Sequence, residues 1–194
     1  MIQAVSQFNP AVTSLPPMLP SLFYDARTHG DFQFATGTQT VAANTIYSHK
    51  IFIPNIVKVV KITAEITTGA AGNMRLGIYT HDTTTGLPGA LVSGSDAGNV
   101  DTTSIAVVSS TINVTLSPGW YWLSTLYSAT PTVRAWTVGA GAARPGHYTA
   151  NTNAACVNNV ATTATQLFSA LPLAQTTPAY SVAAANYHRV ILET

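Results

Sequence analysis

Three stretches of the chain alternate strictly between apolar and polar residues. In KVVKITAEITT, residues 58–68, every second position is apolar, namely Val60, Ile62, Ala64 and Ile66. NMRLGIYT (73–80) repeats the pattern with Met74, Leu76 and Ile78, and INVTLS (112–117) with Ile112, Val114 and Leu116. A period of two, with one apolar face and one solvent-exposed face, predicts half-buried antiparallel strands.

Turn signals separate these strands from further candidates. The pairs Pro88–Gly89 and Pro118–Gly119 predict type II turns, with each pair at the two central positions. Strands that recur every 8–12 residues or so between turns favour a sandwich or a barrel. Residues 139–187 are rich in Ala, Thr, Asn and Gly and predict long loops with a strand or two. The further strand candidates are 44–53, 89–93, 104–109, 119–126, 132–138 and 188–192.

The segment GWYWLST, residues 119–125, raises the question of a binding platform. Alternation places Trp120 and Trp122 on one face and Tyr121 and Leu123 on the other. Both faces are apolar, which is typical of a central strand that is covered on both sides. The pattern therefore predicts that at least one of these two faces belongs to the core of a sandwich.

The first thirty residues differ from the rest of the chain. They hold Pro10, Pro16, Pro17 and Pro20 among apolar residues, and proline excludes both helix and central strand. We expect an extended N-terminal arm over residues 1–30, docked on its own domain or on a neighbouring subunit, and one β-sandwich domain over residues 31–194.

The composition changes the picture of the surface. The charged fraction is 8%, against a usual value of about 25%. So few charges protect a protein poorly against self-association, which suits a subunit of an assembly. The net charge is +1 with Lys and Arg scattered singly, so nucleic acid and membranes are not expected partners. The first residues also lack the pattern of a secretory signal, so we expect a protein that stays in the cytoplasm until assembly.

No pattern of catalytic or ligand-binding residues emerges. The five histidines show no zinc spacing, and the loop from Asp96 to Asp101 lacks the spacing of a calcium-binding EF-hand. The neighbours His29 and Asp31, and His81 and Asp82, are expected to be solvent-facing turn residues, and Cys156 a small buried one. No nucleophile elbow or phosphate loop occurs. We predict a protein that is not an enzyme, with no catalytic, cofactor-binding or metal-binding residues.

A longer motif resembles a known module. RLGIYTHDTTTGLPGALV (75–92), a Thr-rich strand, INVTLSPGWYWLSTL (112–126) and PTVRAW (131–136) are similar to a module of tailed-phage and prophage structural proteins. The resemblance spans about residues 35–140, with RVILET (189–194) as a closing strand. It implies a jelly-roll-like antiparallel β-sandwich, a trimeric homo-oligomer and no catalytic residues. Capsid decoration proteins, head fibres and tail fibres carry such modules.

Two functions follow from the resemblance and the composition. The first is a virion structural protein, a decoration or cement subunit that bridges other virion proteins and is assembled in the host bacterial cytoplasm. The second is a tail- or head-fibre module that binds a host surface glycan. For the second, Tyr127, Trp136 and Tyr148 are the candidate residues, because their neighbours are polar or small.

Overall fold

The computed structural model describes residues 23–25, 34–138, 161–175, 181–182 and 186–194, and these form strands and connections without a helix. The fourteen strands within these ranges all pair antiparallel. In chain order they are β1 (Phe23–Asp25), β2 (Phe34–Thr40), β3 (Thr45–Ile53), β4 (Val57–Thr68), β5 (Asn73–His81), β6 (Pro88–Leu91), β7 (Val100–Asp101), β8 (Ala106–Leu116), β9 (Gly119–Tyr127), β10 (Thr132–Val138), β11 (Ala161–Thr165), β12 (Ser181–Val182), β13 (Asn186–His188) and β14 (Val190–Glu193).

The strands form two curled sheets of seven strands each. In sheet 1, β4 lies between β8 and β14, β14 pairs with β1, and β10 joins β4 to β2 and β13. In sheet 2 the order is β12–β11–β3–β9–β5–β6, and β7 also pairs with β5. The protein is therefore an all-β antiparallel sandwich, as the alternating pattern predicted.

The core lies between the two sheets. Sheet 1 contributes Val59, Ile62, Ile66, Leu116 and Leu192, and sheet 2 contributes Ile51, Ile53, Met74, Leu76, Ile78 and Leu123. Each of these side chains is essentially inaccessible to solvent, and fully burying one such side chain stabilises the fold by about 1.5–3 kcal/mol. The predicted inward positions of β5 and of the second half of β8 are confirmed.

A β-bulge corrects the predicted pattern of β4. The register against β8 shifts between Val59 and Lys61. Val57 and Val59 are buried before the bulge, while Val60, predicted to point inward, is only half-buried. A bulge inserts one residue, so the inward set changes phase and resumes at Ile62.

Two predicted turns are also corrected. Pro88 and Gly89 lie in β6, and the turn precedes them, with Gly86 at φ 74° and the amide of Asp82 donating to the carbonyl of Leu87. Gly119 opens β9 at φ 154°, far from the value of about 80° that a type II turn requires. Residues 117–118 instead carry the chain from sheet 1 to sheet 2.

Several other strand predictions are close to the observed bounds. β10 coincides with the predicted 132–138, the predicted 104–109 overlaps the longer β8, which begins at Ala106, and 188–192 is divided at Arg189. Of the predicted arm only Phe23–Asp25 is described, and it pairs with β14 of the same chain. His29, Asp31, Tyr148 and Cys156 lie outside the described residues.

Candidate functional site

The outward face of sheet 2 carries a cluster of aromatic and charged side chains at one end. The register places Phe52 beside Trp120 and Lys50 beside Trp122 across the β3–β9 pair. Across the β5–β9 pair Tyr79 lies beside Trp122. Because side chains alternate along each strand, these residues share the face that points away from sheet 1. We call Lys50, Phe52, His81, Trp120 and Trp122 the aromatic patch.

The rings of the aromatic patch are in contact, but their exposure differs. The Phe52 and Trp120 centroids are 5.0 Å apart with the planes inclined at 56°, and Trp120 is 43% exposed. Trp122 is completely buried, and its indole Nε1–H donates to Nδ1 of His81 at 3.1 Å. The patch thus has a buried half that fixes its geometry and an exposed half at Trp120.

Lys50 adds a positive charge to the aromatic patch. Its Nζ lies 4.8 Å from the Trp120 centroid and 5.8 Å from that of Trp122, within the range of cation–π attraction. Burial lowers the pKa of Lys50 below its ordinary value. Among the described residues no carboxylate forms an ion pair with Lys50. The pKa of His81 is lowered chiefly by burial and then by the charge of Lys50.

His81 differs from its predicted role as a solvent-facing turn residue. It ends β5, is partly buried and accepts the hydrogen bond from Trp122. With Nδ1 as the acceptor, the neutral ring carries its proton on Nε2 and can donate a second hydrogen bond there. Asp82 does lie in a turn, where its carboxylate accepts from the amide of Thr84 at 2.8 Å and the hydroxyl of Thr85 at 2.8 Å.

Residues 166–175, which we call the strap, cover the middle of the same sheet face. The strap rests on a row of small residues, Ser48, Ser124 and Gly77, that the register brings side by side. Leu171 lies directly over Gly77, where a Cβ would come within 2.3 Å of its Cδ1. Gln175 donates to the hydroxyl of Ser124 at 3.2 Å. The small row therefore makes the groove that holds the strap.

Polar contacts fasten the strap along its length. The hydroxyl of Tyr79 donates to the carbonyl of Pro172 at 2.9 Å, and the amide of Phe168 donates to the side-chain oxygen of Asn44 at 2.9 Å. The carboxylate of Asp96 accepts from the amide of Leu171 at 2.9 Å. These contacts join the strap to three separate segments of the chain and hold it on the face of sheet 2.

Asp96 begins the predicted loop 96–101, whose last two residues form β7, and it both accepts a hydrogen bond from the strap and forms an ion pair. Nη1 of Arg75 lies 2.7 Å and 2.9 Å from its two carboxylate oxygens, and both side chains are largely buried. Asp101 at the other end of the loop accepts from the hydroxyl and the amide of Thr103. Among the described residues no group of three or more His, Cys, Asp or Glu side chains could hold a metal ion.

Two buried histidines form a cluster that the sequence reasoning missed. His49 and His188 lie between the sheets with ring centroids 5.4 Å apart, and the amide of His188 donates to Nε2 of His49 at 3.2 Å. Nδ1 of His188 is 3.1 Å from the hydroxyl of Thr125. Tyr47 packs against the His188 ring at 4.2 Å. His49 alternates with Tyr47 and Ile51 on the inward face of β3, and that position was the signal for its burial.

The structure rejects one of the three predicted glycan-binding residues. Tyr127 is completely buried in the core, where burial raises the pKa of its hydroxyl. Trp136 pairs with Thr36 and Tyr187 in sheet 1, and its side chain and Tyr148 lie outside what the structure describes. The aromatic patch instead exposes Trp120, which the alternating pattern had grouped with the buried Trp122.

A second exposed feature lies on sheet 1. Within the described part of the chain, β8 pairs only with β4 and so forms an edge of the sheet. Ile105, just before the strand, is 73% exposed and Val107 is 70% exposed. Residues 104–117 contain neither a charged residue nor a proline, and Pro118 follows them directly. We call this edge strand, after its exposed apolar end at residues 105–107, the apolar edge.

No helix in the described residues is long and apolar enough to cross a bilayer. Comparison with protein-family models and with curated proteins finds no match to this chain, so the relation to the phage module stays a prediction from the quoted motifs.

Proposed function

We propose that the protein is a non-enzymatic structural subunit of a bacteriophage virion, a decoration or cement protein that bridges neighbouring subunits. The motif over residues 75–136 and the low charge of the chain support this role. Its partners would be other virion proteins and further copies of itself, arranged as a trimer. The protein would then act by burying surface against its neighbours.

The order of the strands supports the same class of protein. Sheet 1 contains the sequence β2–β10–β4–β8 and sheet 2 the sequence β3–β9–β5–β6. Successive strands from β2 to β5, and from β8 to β10, alternate between the two sheets. We interpret this arrangement as a jelly roll, a fold in which eight strands form two sheets through two Greek keys and which is frequent in viral capsids.

The apolar edge is the observation that carries the proposal. An exposed edge strand presents unpaired backbone groups, and proteins that remain monomeric usually protect such a strand with lysine, proline or a covering loop. Here the exposed side chains of β8 are Ala106, Val107, Ser109, Thr111, Asn113 and Thr115, and none is charged. Such an edge suits a strand that is covered by a neighbouring subunit in an assembly.

Substitution at the apolar edge tests the proposal. The double change Ile105→Lys and Val107→Lys should leave the fold intact, because both side chains are exposed. It should reduce the number of copies in particles of the encoding phage at least about tenfold, as buried unpaired charges oppose association. Quantitative mass spectrometry of purified particles measures the copy number. Thr83→Lys, in the turn after β5, is the matched control and should be incorporated normally.

Two results would contradict this role. One is the absence of the wild-type protein from purified particles, and the other is normal incorporation of the folded double variant. Hundreds of copies per particle would indicate capsid decoration, and about a dozen the neck or tail. A truncated chain without residues 1–22 retains β1 and separately tests the expected clamp by the arm.

A further inference from the structure

We propose that the aromatic patch of sheet 2 binds an acidic saccharide, with one sugar ring on Trp120 and the sugar carboxylate at Lys50. The site lies on the sheet opposite the apolar edge. It adds a recognition function to the assembly role and does not depend on that role.

The first argument is the shape and chemistry of Trp120. Its indole remains 43% exposed although Phe52 packs against it at 5.0 Å. The backbone of Trp120 is fixed by its pairing with Phe52 of β3, and the Phe52 ring packs against the indole and restricts its motion. A partly exposed aromatic ring with restricted motion attracts the C–H face of a sugar, since its π-cloud is electron-rich and little conformational entropy is lost on binding.

The second argument is the charge of Lys50. Its Nζ lies on the ring system of Trp120 and Trp122, and no carboxylate among the described residues pairs with it. The partial burial that lowers its pKa also means that the charge is poorly hydrated. Ion pairing with an anion would compensate for the hydration energy that the ammonium group has lost. The patch therefore favours a ligand with a carboxylate at the edge of an apolar ring.

The third argument is the polar rim. Nδ1 of His81 is held by the indole N–H of Trp122, which leaves the Nε2–H of the neutral ring as a donor. A saccharide offers hydroxyl acceptors for such a donor, whereas an apolar peptide side chain does not. A single lysine is too little positive charge for a nucleic acid, which needs a basic stripe. Together these features favour an acidic sugar.

Binding to two acidic probes tests the site. Tetragalacturonate and sialyllactose are titrated into the full-length chain, with the methyl ester of each as the neutral counterpart of the same rings. Calorimetry at low salt should show at least one acidic probe bound about tenfold more tightly than its neutral counterpart. Raising the salt concentration should reduce this difference, because the interaction with Lys50 is partly exposed.

Three variants separate the contributions of the patch. Trp120→Ala should weaken binding of the acidic probe at least about tenfold, and Trp120→Tyr should retain most of it. Lys50→Met keeps the aliphatic stem and should remove the preference for the acidic probe. As a control, Lys58→Met changes an exposed lysine of sheet 1 and should have no effect. Thermal unfolding checks that each variant is folded.

Several results would overturn the proposal. They are failure of the wild type to bind either acidic probe, equal affinity for acidic and neutral probes, and unchanged binding by folded Trp120→Ala. Loss of self-association or particle incorporation in Trp120→Ala, without saccharide binding by the wild type, would identify the patch as a protein contact instead.

Discussion

The imidazole rings of His49 and His188 lie side by side inside the sandwich with their planes inclined at 53°, and the His49 ring accepts a hydrogen bond from the backbone of His188. Their centroids are 5.4 Å apart, and the amide of His188 donates to Nε2 of His49 at 3.2 Å. Both rings are buried, with Tyr47, Tyr127 and Thr125 as their polar neighbours. Protonation of either ring would place a charge in the core, so burial lowers both pKa values, that of His49 from 6.5 to about 3.

The histidine pair predicts that acid destabilises the protein. The unfolded chain binds protons to these histidines below pH 6.5 or so, while the folded protein does not until much lower pH. The contribution of the two histidines to the free energy of unfolding should therefore be fully present above about pH 6.5. It should fall as the pH decreases, by up to about 1.4 kcal/mol per pH unit for each histidine. Urea unfolding between pH 7.5 and 4.5 measures this slope.

Variants assign the pH dependence to the pair. His188→Gln should reduce the slope, and His81→Gln should change it less because that ring is only partly buried. Below about pH 4.5 carboxylates such as Glu65, whose pKa is lowered by its hydrogen bond with Arg134, contribute a slope of the same sign. A flat stability profile between pH 7.5 and 4.5 would contradict the prediction.

The ion pair of Asp96 and Arg75 predicts a weak point for the strap. Asp96→Ala leaves a largely buried guanidinium without its partner and removes the acceptor of the Leu171 amide. Loss of one partner of a buried pair costs about 3–5 kcal/mol. Hydrogen exchange should accelerate across residues 166–175, and urea unfolding should show the loss of stability.

An exposed ion pair is the control for Asp96. Lys61 and Glu193 lie 3.2 Å apart with both side chains partly in solvent. Glu193→Gln should therefore change stability by less than about 1 kcal/mol and leave exchange in the strap unchanged. Equal effects of the two substitutions would mean that the Asp96 pair does not hold the strap.

The two tryptophans of β9 should respond differently to truncation. Trp122→Ala should destabilise the protein by about 3–5 kcal/mol, because it removes a fully buried indole and leaves a cavity. Trp120→Ala should cost much less, since that ring is partly exposed. Thermal denaturation compares the variants directly, and similar losses for both would contradict the assignment of Trp120 to the surface.

Gly69 should be less tolerant of a side chain than Gly77. A Cβ at Gly69 would lie 2.0 Å from the carbonyl oxygen of Thr103, a backbone atom that cannot move without displacing its loop. At Gly77 the obstacle is the flexible end of the Leu171 side chain. Gly69→Ala should therefore cost about 1–3 kcal/mol and exceed the cost of Gly77→Ala, as measured by urea unfolding. The reverse order would show that the Leu171 contact is the more rigid one.

The sequence predicted the positions of the strands better than their pairing within the sheets. Both ends of β10 were predicted correctly because a proline precedes the strand and a glycine follows it. β5 was predicted correctly because its alternation of apolar and polar residues is unbroken. The bulge at Val60 was missed, since a single inserted residue leaves the composition of the strand unchanged. The turn at Pro88–Gly89 was wrong because the same residues also suit the start of an edge strand.

The aromatic patch could be predicted only in part. Alternation placed Trp120 and Trp122 on one face, but whether that face is covered depends on Phe52 and on the strap, which come from distant parts of the chain. Tyr127 was misjudged because Ser124 and Ser128, small polar residues near it in the sequence, form hydrogen bonds with other segments instead of facing solvent. Local composition carries no information about such partners.

Alternation of the strands between the sheets also affects how the chain reaches its fold. Ser48 and Ser124 share a hydrogen bond although 76 positions separate them in the chain. Ladders between distant segments form slowly, because the entropy of closing a long loop is lost before any contact compensates for it. Until β4 and β8 have paired, the strand that forms the apolar edge is neither part of a sheet nor covered by a neighbouring subunit. The yield of soluble protein should therefore be limited by folding rate, and slow synthesis at low temperature should favour it.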